Sequence, residues 1–204
     1  EPTCWIYPHG THGEINVSEA LRDSCNYFFY EVGFRLATKN GTYNDQYGID
    51  RISSYAKAFG LGEKTGIEIP ESSPKLATKF PVMAAIGQSD HAYTTAQLAR
   101  YVTSVANSGT VYNLSLLDKT VGGKNEVIKD YTPVVKNKIT NISLESWNAI
   151  HSGMRMVVEK LPVFNSLLTP VAGKTGTAQE DKTRPTHALF VGYAPFDNPS
   201  FAIA

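Results

Sequence analysis

Seven residues of this chain, Gly173-Lys174-Thr175-Gly176-Thr177-Ala178-Gln179, carry an ammonium, two hydroxyls and two glycines, and the apolar run His187-Ala-Leu-Phe-Val-Gly-Tyr-Ala-Pro195 begins eight residues further on. The pattern reads as a strand with its neighbour. A Lys-Thr-Gly at a strand edge sets Lys174 and the Thr175 hydroxyl beside flat backbone, and Gly176 lets an acyl substrate lie close with no side chain in the way. That chemistry suits a carboxylate bound next to a reacting carbonyl. A hydroxyl and an amide stand one residue apart in Ser24-Cys25-Asn26, 150 positions before Lys174. Any one of these groups alone reads more simply as a cap, a turn residue or a solvated charge.

The elements that must position them follow from patterning. Asn16 with Glu19 resembles a capping box, and Val17, Leu21, Cys25, Phe28, Val32 and Leu36 recur at three- and four-residue spacing, which predicts helix on both sides of Ser24. The same residues fit an unbroken helix or an interruption at Asp23-Ser24, since short polar side chains compete for the backbone and restart helices as N-caps. Further helices are predicted over 50–59, ending at Gly60, over 94–106, and from the Ser143 cap to a stop at Pro162, with Leu144, Trp147, Ile150, Met154, Val157 and Leu161 on one face against a sheet. Residues 110–141, β-branched and broken by Gly122-Gly123 and Pro133, predict a peripheral hairpin. Val171–Gln179, His187–Ala194 and Ser200–Ala204 predict three antiparallel strands, the last without a terminator.

Composition sets limits. The 204 residues are 42% hydrophobic and 19% charged, enough for one globular domain with a core, and Lys plus Arg equals Asp plus Glu at 19 each. No overall field therefore attracts nucleic acid or an anionic membrane, and a substrate must be recognised locally. There is no apolar run long enough to span a bilayer and no signal peptide. His9, His12, His91 and His151 show no metal-ligand spacing, and His187 lines the second strand. Cys4 and Cys25 are expected to be two free thiols, Cys25 as a small buried one.

The order of several segments resembles the transpeptidase domain of class B penicillin-binding proteins. The resemblance rests on His12 to Phe29 around Ser24-Cys25-Asn26, on Phe59 to Gly66, on Ile86-Gly-Gln88, on Gly153-Met-Arg-Met-Val-Val158 and on Gly173 to Gln179, and it covers nearly the whole chain. It implies a mixed α/β (α+β) fold of the penicillin-binding and serine β-lactamase type, an antiparallel sheet packed with helices plus a helical part. Residues 1–204 would be the C-terminal part of one such domain, a fragment lacking the upstream Ser-x-x-Lys segment and the end of the last strand. Ser54-Tyr-Ala-Lys57 and Ser72-Ser-Pro-Lys75 match that pattern in the wrong order, and Pro74 opposes the helical turn the second would need. A second Lys-Thr-Gly, at Lys64, sits among Gly60, Gly62 and Pro70 and reads as a turn. After Gln88 the family has glycine where this chain has Ser89-Asp90.

The resemblance further implies peptidoglycan D,D-transpeptidation, acyl transfer from stem peptides ending in D-Ala-D-Ala, with β-lactams as covalent ligands. Ser24 would relay a proton, Asn26 hold the substrate amide and Lys174 supply positive potential. Thr175 and Thr177 would bind the terminal carboxylate beside Gly176, and the Thr177 N–H would form half an oxyanion hole. No nucleophile, metal or cofactor is expected in the chain. The parent would be membrane-anchored on the extracytoplasmic face of a bacterium and partnered with a glycosyltransferase. Alternatives are a non-catalytic penicillin-fold scaffold or sensor and a serine β-lactamase, the latter lacking an evident glutamate to activate water. The cysteine expectation is directly measurable: thiol titration of denatured, unreduced protein should find both thiols, and finding none would mean a disulfide.

Overall fold

The computed structural model describes residues 3–178, 183 and 185–204; Gln179, counted above in the first strand, lies outside them. Asn16 caps helix α1 (Val17–Arg22) by accepting from the Glu19 N–H, and Glu19 returns a bond to the Asn16 N–H, so the capping box forms. Such caps stabilise a helix start by about 1 kcal/mol. Helix α2 (Asn26–Leu36) follows after a break at residues 23–25. A two-residue hairpin, β1 (Thr38–Lys39) and β2 (Thr42–Tyr43), leads to α3 (Asp45–Ala58). This helix begins five residues before the expected position because Asn44 accepts from the Tyr47 N–H and starts the first turn. A short α4 (Pro81–Ala84) and α5 (Thr95–Ala106), the latter with a Thr94/Gln97 capping box, complete the helical part before the central ladders.

The expected hairpin over 110–141 is two nested ladders. Strand β3 (Thr110–Asn113) pairs antiparallel with β6 (Val134–Lys138), and β4 (Lys119–Val121) with β5 (Val127–Asp130) between them. The inner pair is peripheral and exposed, but the outer one reaches the core: Val111 and Ile139 are buried against Trp147. The last three strands, β7 (Ala172–Ala178), β8 (His187–Ala194) and β9 (Phe201–Ile203), form one antiparallel sheet in sequence order, with Lys174 opposite Val191 and Gly176 opposite Leu189. The fold is mixed α/β with helices packed on an antiparallel sheet, as expected.

Helix α6 (Leu144–Glu159), capped by Ser143, is the bearing between the two parts. Its buried face carries Trp147, Gly153, Met154, Val157 and Val158, whereas Leu144 is 72% exposed, because at the first turn nothing packs over it. Met154 joins Val102 and Val105 of α5, Ala172 of β7 and Tyr193 of β8 in one cluster. On an adjoining face α1 lies directly on α6. The Ser18 hydroxyl donates to the Ala149 carbonyl at 2.7 Å, and a Cβ at Gly153 would stand 2.8 Å from Leu21 Cδ1 and 3.0 Å from Ser18 Cα. Only a hydrogen fits there.

Gly153→Val should therefore cost about 1–3 kcal/mol by overpacking, read as a fall in urea midpoint, while Asn148→Ala on the exposed face of α6 should leave the midpoint within about 0.5 kcal/mol. Equal midpoints for the two variants would show that α1 is not seated on α6 as described.

Candidate active site

The break between α1 and α2 is a helix C-terminus with an unusual occupant. The Ser24 N–H donates to the Leu21 carbonyl at 3.3 Å, and the Cys25 N–H reaches back to the Ala20 carbonyl at 3.0 Å. This pair of bonds is the helix-ending motif whose pivot residue adopts the left-handed conformation and is usually glycine. Here the pivot is Ser24, with φ of 49°. The serine thus ends α1, and Cys25 stands at the N-cap of α2 with no side-chain cap bond, which corrects the expectation that Ser24 restarts the helix as an N-cap. A side chain held in this conformation is locally strained, and such strain is kept where function needs the group's direction.

Asp23 holds the turn from below. Its carboxylate pairs with Arg22 at 2.7 Å and with Lys160, and its carbonyl accepts from the Trp5 indole N–H at 3.2 Å. The Arg22 hydrogen bonds hold the Asp23 carboxyl well below the usual carboxylate range, aided by Lys160 and opposed by burial.

Across a cleft of about 510 Å³ the turn faces β7. Ser24, Asn26, Lys174, Thr175, Gly176 and Thr177 all line it, with Trp5, Phe29 and Ile86 supplying apolar walls. The Lys174 ammonium donates to Ser24 Oγ and, at 2.7 Å, to the Thr175 carbonyl. Burial pushes the Lys174 pKa down. Strand β7 is the sheet edge, so alternate peptide groups lack a partner from β8. The Thr175 carbonyl turns to Lys174, and the Thr177 carbonyl accepts from the Gln88 amide at 3.4 Å. In an antiparallel strand the N–H and C=O of one residue point the same way, so the Thr175 and Thr177 amides are aimed out of the sheet edge toward the cleft.

The two nearby glycines differ in what they do. A Cβ at Gly173 would stand 2.8 Å from the Val191 carbonyl oxygen, a backbone atom, so that glycine is required by packing; at Gly176 it would meet only Leu189 Cβ, at an ordinary 3.6 Å. Nothing in the fold itself demands glycine at position 176, which leaves that face of the strand bare for a ligand.

The competing patterns are elsewhere. The second Lys-Thr-Gly is a turn organised by buried Arg100, whose guanidinium donates to the carbonyls of Gly60, Glu63 and Lys64, and Thr65 is buried with its N–H and hydroxyl on Glu71. Ser54 and Lys57 are exposed on α3, and Ser72 to Lys75 is not helical. Ser89 and Asp90 tie their loop down: Ser89 Oγ donates to the Lys79 carbonyl at 2.7 Å, and the Asp90 carboxylate accepts from the Thr78 N–H at 2.9 Å. His187 opens β8 opposite Ala178. Sequence reasoning missed Trp5 as a cleft wall. An exposed aromatic outside any periodic pattern gives no signal until the turn at Asp23 brings it to the cleft.

The model of the penicillin-binding protein transpeptidase domain matches residues 3–204. The chain is 28% identical over 250 residues to the peptidoglycan D,D-transpeptidase MrdA of Haemophilus influenzae, covering all of this chain and 36% of that protein. It is 30% identical over 217 residues to penicillin-binding protein 2B of Streptococcus pneumoniae, covering 93% of this chain and 32% of that protein. The solved structure of that protein from strain R6 superposes with a TM-score of 0.83 at 25% identity, over 98% of this chain and 36% of that one. A second structure, described as the structural coordination of polymerization and crosslinking by a peptidoglycan synthase complex, aligns at 30% identity and a TM-score of 0.75, over 91% of this chain and 32% of that one. The chain spans about a third of the length of these relatives.

Because the Asp23 carboxyl is held low in the folded chain, its ion pairs contribute fully above the ordinary aspartate value of about 3.9 and are lost as pH falls through the lower folded-state value. Urea midpoints measured from neutral to strongly acidic pH should therefore fall less steeply for Asp23→Asn than for the unmodified chain, with the two curves converging in acid. Parallel curves would remove Asp23 from this role.

Proposed function

The chain belongs to the family of penicillin-binding protein transpeptidase domains, and from that premise we propose that it is the C-terminal part of the catalytic domain of a class B peptidoglycan D,D-transpeptidase. Its parent would cross-link stem peptides ending in D-Ala-D-Ala and react covalently with β-lactams. The observation that carries this reading is the Lys174–Ser24 hydrogen bond, made between two elements 150 residues apart across a cleft that also presents Asn26, Thr177 and a bare Gly176.

In the proposed mechanism a serine hydroxyl attacks the carbonyl between the two D-alanines, the terminal D-alanine leaves as the free amine, and an amine of a neighbouring strand then takes the acyl group from the serine. Ser24, held by the Lys174 ammonium, passes a proton from the attacking hydroxyl side to the leaving nitrogen. Asn26 holds the substrate amide. The Thr175 and Thr177 hydroxyls with Lys174 take the terminal carboxylate, and the Thr177 N–H at the open strand edge stabilises the oxyanion. Among the described residues lining the cleft there is no carboxylate to activate a deacylating water, which favours transfer over hydrolysis.

Ser24 is the one serine lining the cleft among the described residues. The reading therefore assigns the acylated serine to a Ser-x-x-Lys segment of the parent outside these 204 residues, consistent with relatives about three times as long. The same reading sets the parent on the extracytoplasmic face of a bacterial membrane beside a glycosyltransferase, supported by the likeness to a synthase complex of polymerization and crosslinking. No helix among the described residues is long and apolar enough to cross a membrane, so an anchor would have to lie elsewhere in the parent.

Two measurements test this. In the full-length parent, Lys174→Ala should slow acylation by a fluorescent penicillin by a factor on the order of a hundred or more, and Lys64→Ala should leave it near normal; the reverse result would reassign the site. The isolated chain should form no penicillin adduct by mass spectrometry and should regain acylation when the upstream segment is restored. An adduct on Ser54, Ser72 or Ser24 would overturn the assignment of roles.

A further inference from the structure

Ser89-Asp90, the pair that departs from the resemblance, closes a loop that is tied at its neck and twice more above it. At the neck the Lys75 N–H donates to the Ala92 carbonyl at 2.8 Å, and the Ala92 N–H donates back to the Lys75 carbonyl at 2.9 Å. The Asp90 carboxylate then accepts from the Thr78 N–H at 2.9 Å and from the Thr78 hydroxyl at 2.5 Å, with Lys75 Nζ at 3.2 Å. Ser89 Oγ makes the third tie, donating to the Lys79 carbonyl at 2.7 Å. The Thr78 hydrogen bonds, opposed by burial and aided by Lys75, hold the Asp90 carboxyl well below the usual carboxylate range, so it is ionised at any pH where the protein is assayed.

What the ties hold is strained and reaches the cleft. Phe80, next to Lys79, has a φ of 56°, a left-handed conformation that bulky residues rarely adopt, and with 56% of its surface exposed it is not kept there by packing. Such a residue persists only where its surroundings over-determine it. Helix α4 follows directly, and Ala85 and Ile86 beyond it line the cleft. Gly87 then turns the chain at a φ of 81°, the Gln88 N–H donates to the Met83 carbonyl at 2.9 Å, and the Gln88 side-chain amide reaches the Thr177 carbonyl at 3.4 Å. Neither Ser89 nor Asp90 is among the described residues lining the cleft, so any influence they have on it passes through this loop.

A single solvent-exposed hydrogen bond of 3.4 Å constrains little by itself. It becomes a constraint when the donor's backbone is already fixed, because less freedom is then lost in making it. Thr177 needs that support. Its N–H and carbonyl point out of the sheet edge, where β8 cannot hold them, and a donor to a developing oxyanion is worth most when its direction is set before the reaction. We propose that Asp90 is a positioning residue for Thr177: by pinning Thr78 it fixes the 75–92 loop, and through the loop it holds the Gln88 amide on the Thr177 carbonyl. The inference rests on the proposed role of the Thr177 N–H as an oxyanion donor and adds the residues that aim it. The bond belongs to the resting strand, so its loss acts on the acylation step more than on the affinity that precedes it.

The test is time-resolved acylation of the full-length parent by a fluorescent penicillin over a range of concentrations, which separates the acylation rate constant from the preceding affinity. Asp90→Ala and Gln88→Ala should each lower the rate constant about tenfold, less than outright loss of an oxyanion donor, and leave the affinity within about twofold. Because Asp90 acts through Gln88, the double variant should be no slower than the slower single one, whereas independent roles would multiply. Should Asp90→Ala fail to fold, Gln88→Ala, which leaves the Asp90 ties intact, still decides. An unchanged rate constant in Gln88→Ala, a multiplicative loss in the double variant, or a loss confined to affinity would each overturn the proposal. Slow acylation in Lys174→Ala alongside any of these would leave the proposed function standing; normal acylation in Lys174→Ala would remove the site itself, and this inference with it.

Discussion

Everything at the cleft depends on one helix being packed on two sides at once. α6 receives α1 at Gly153, where only a hydrogen separates the helix axis from Leu21 and Ser18, and on another face it joins β7 through Met154 and Ala172. A helix is stiff, and close-packed interiors transmit displacement with little give. The distance from the end of α1 to the edge of β7 is therefore set by the thickness of α6 and its side chains. The Lys174–Ser24 contact is a consequence of that spacing and cannot itself hold the two parts together, because a single hydrogen bond is worth about 1 kcal/mol net.

Around this frame, local stability is given up where the cleft needs a particular direction. Ser24 stands at a left-handed helix end where glycine would fit with less strain. β7 leaves half of its peptide groups without a strand partner, and Lys174 is partly buried against its tendency to ionise. Other parts of the fold offset these costs with ordinary means: the Asp23 ion pairs beneath the turn, the α1 capping box, and the Gln88 amide on the Thr177 carbonyl. The tripeptide Ser24-Cys25-Asn26 serves two sides of the same wall. Ser24 and Asn26 line the cleft, while the buried Cys25 between them faces Cys4 and lines the cavity behind.

Much of this was legible in the chain. Periodicity and caps located four of the helices closely, because an apolar stripe and a capping side chain are local signals, and the apolar alternation after Val171 located the three final strands. The α3 start was misplaced because Asn44 reads as one more polar loop residue until its side chain is seen to accept from Tyr47. The short α4 was missed because four residues carry no period.

What the sequence determined by itself was the inventory: which hydroxyls, amides and ammonium groups exist, and that one Lys-Thr-Gly lies in a strand and the other in a turn. Only the tertiary structure decided which of them meet. Chemistry across 150 residues depends on the α1–α6–β7 stack, and no local pattern encodes the thickness of a helix between two partners.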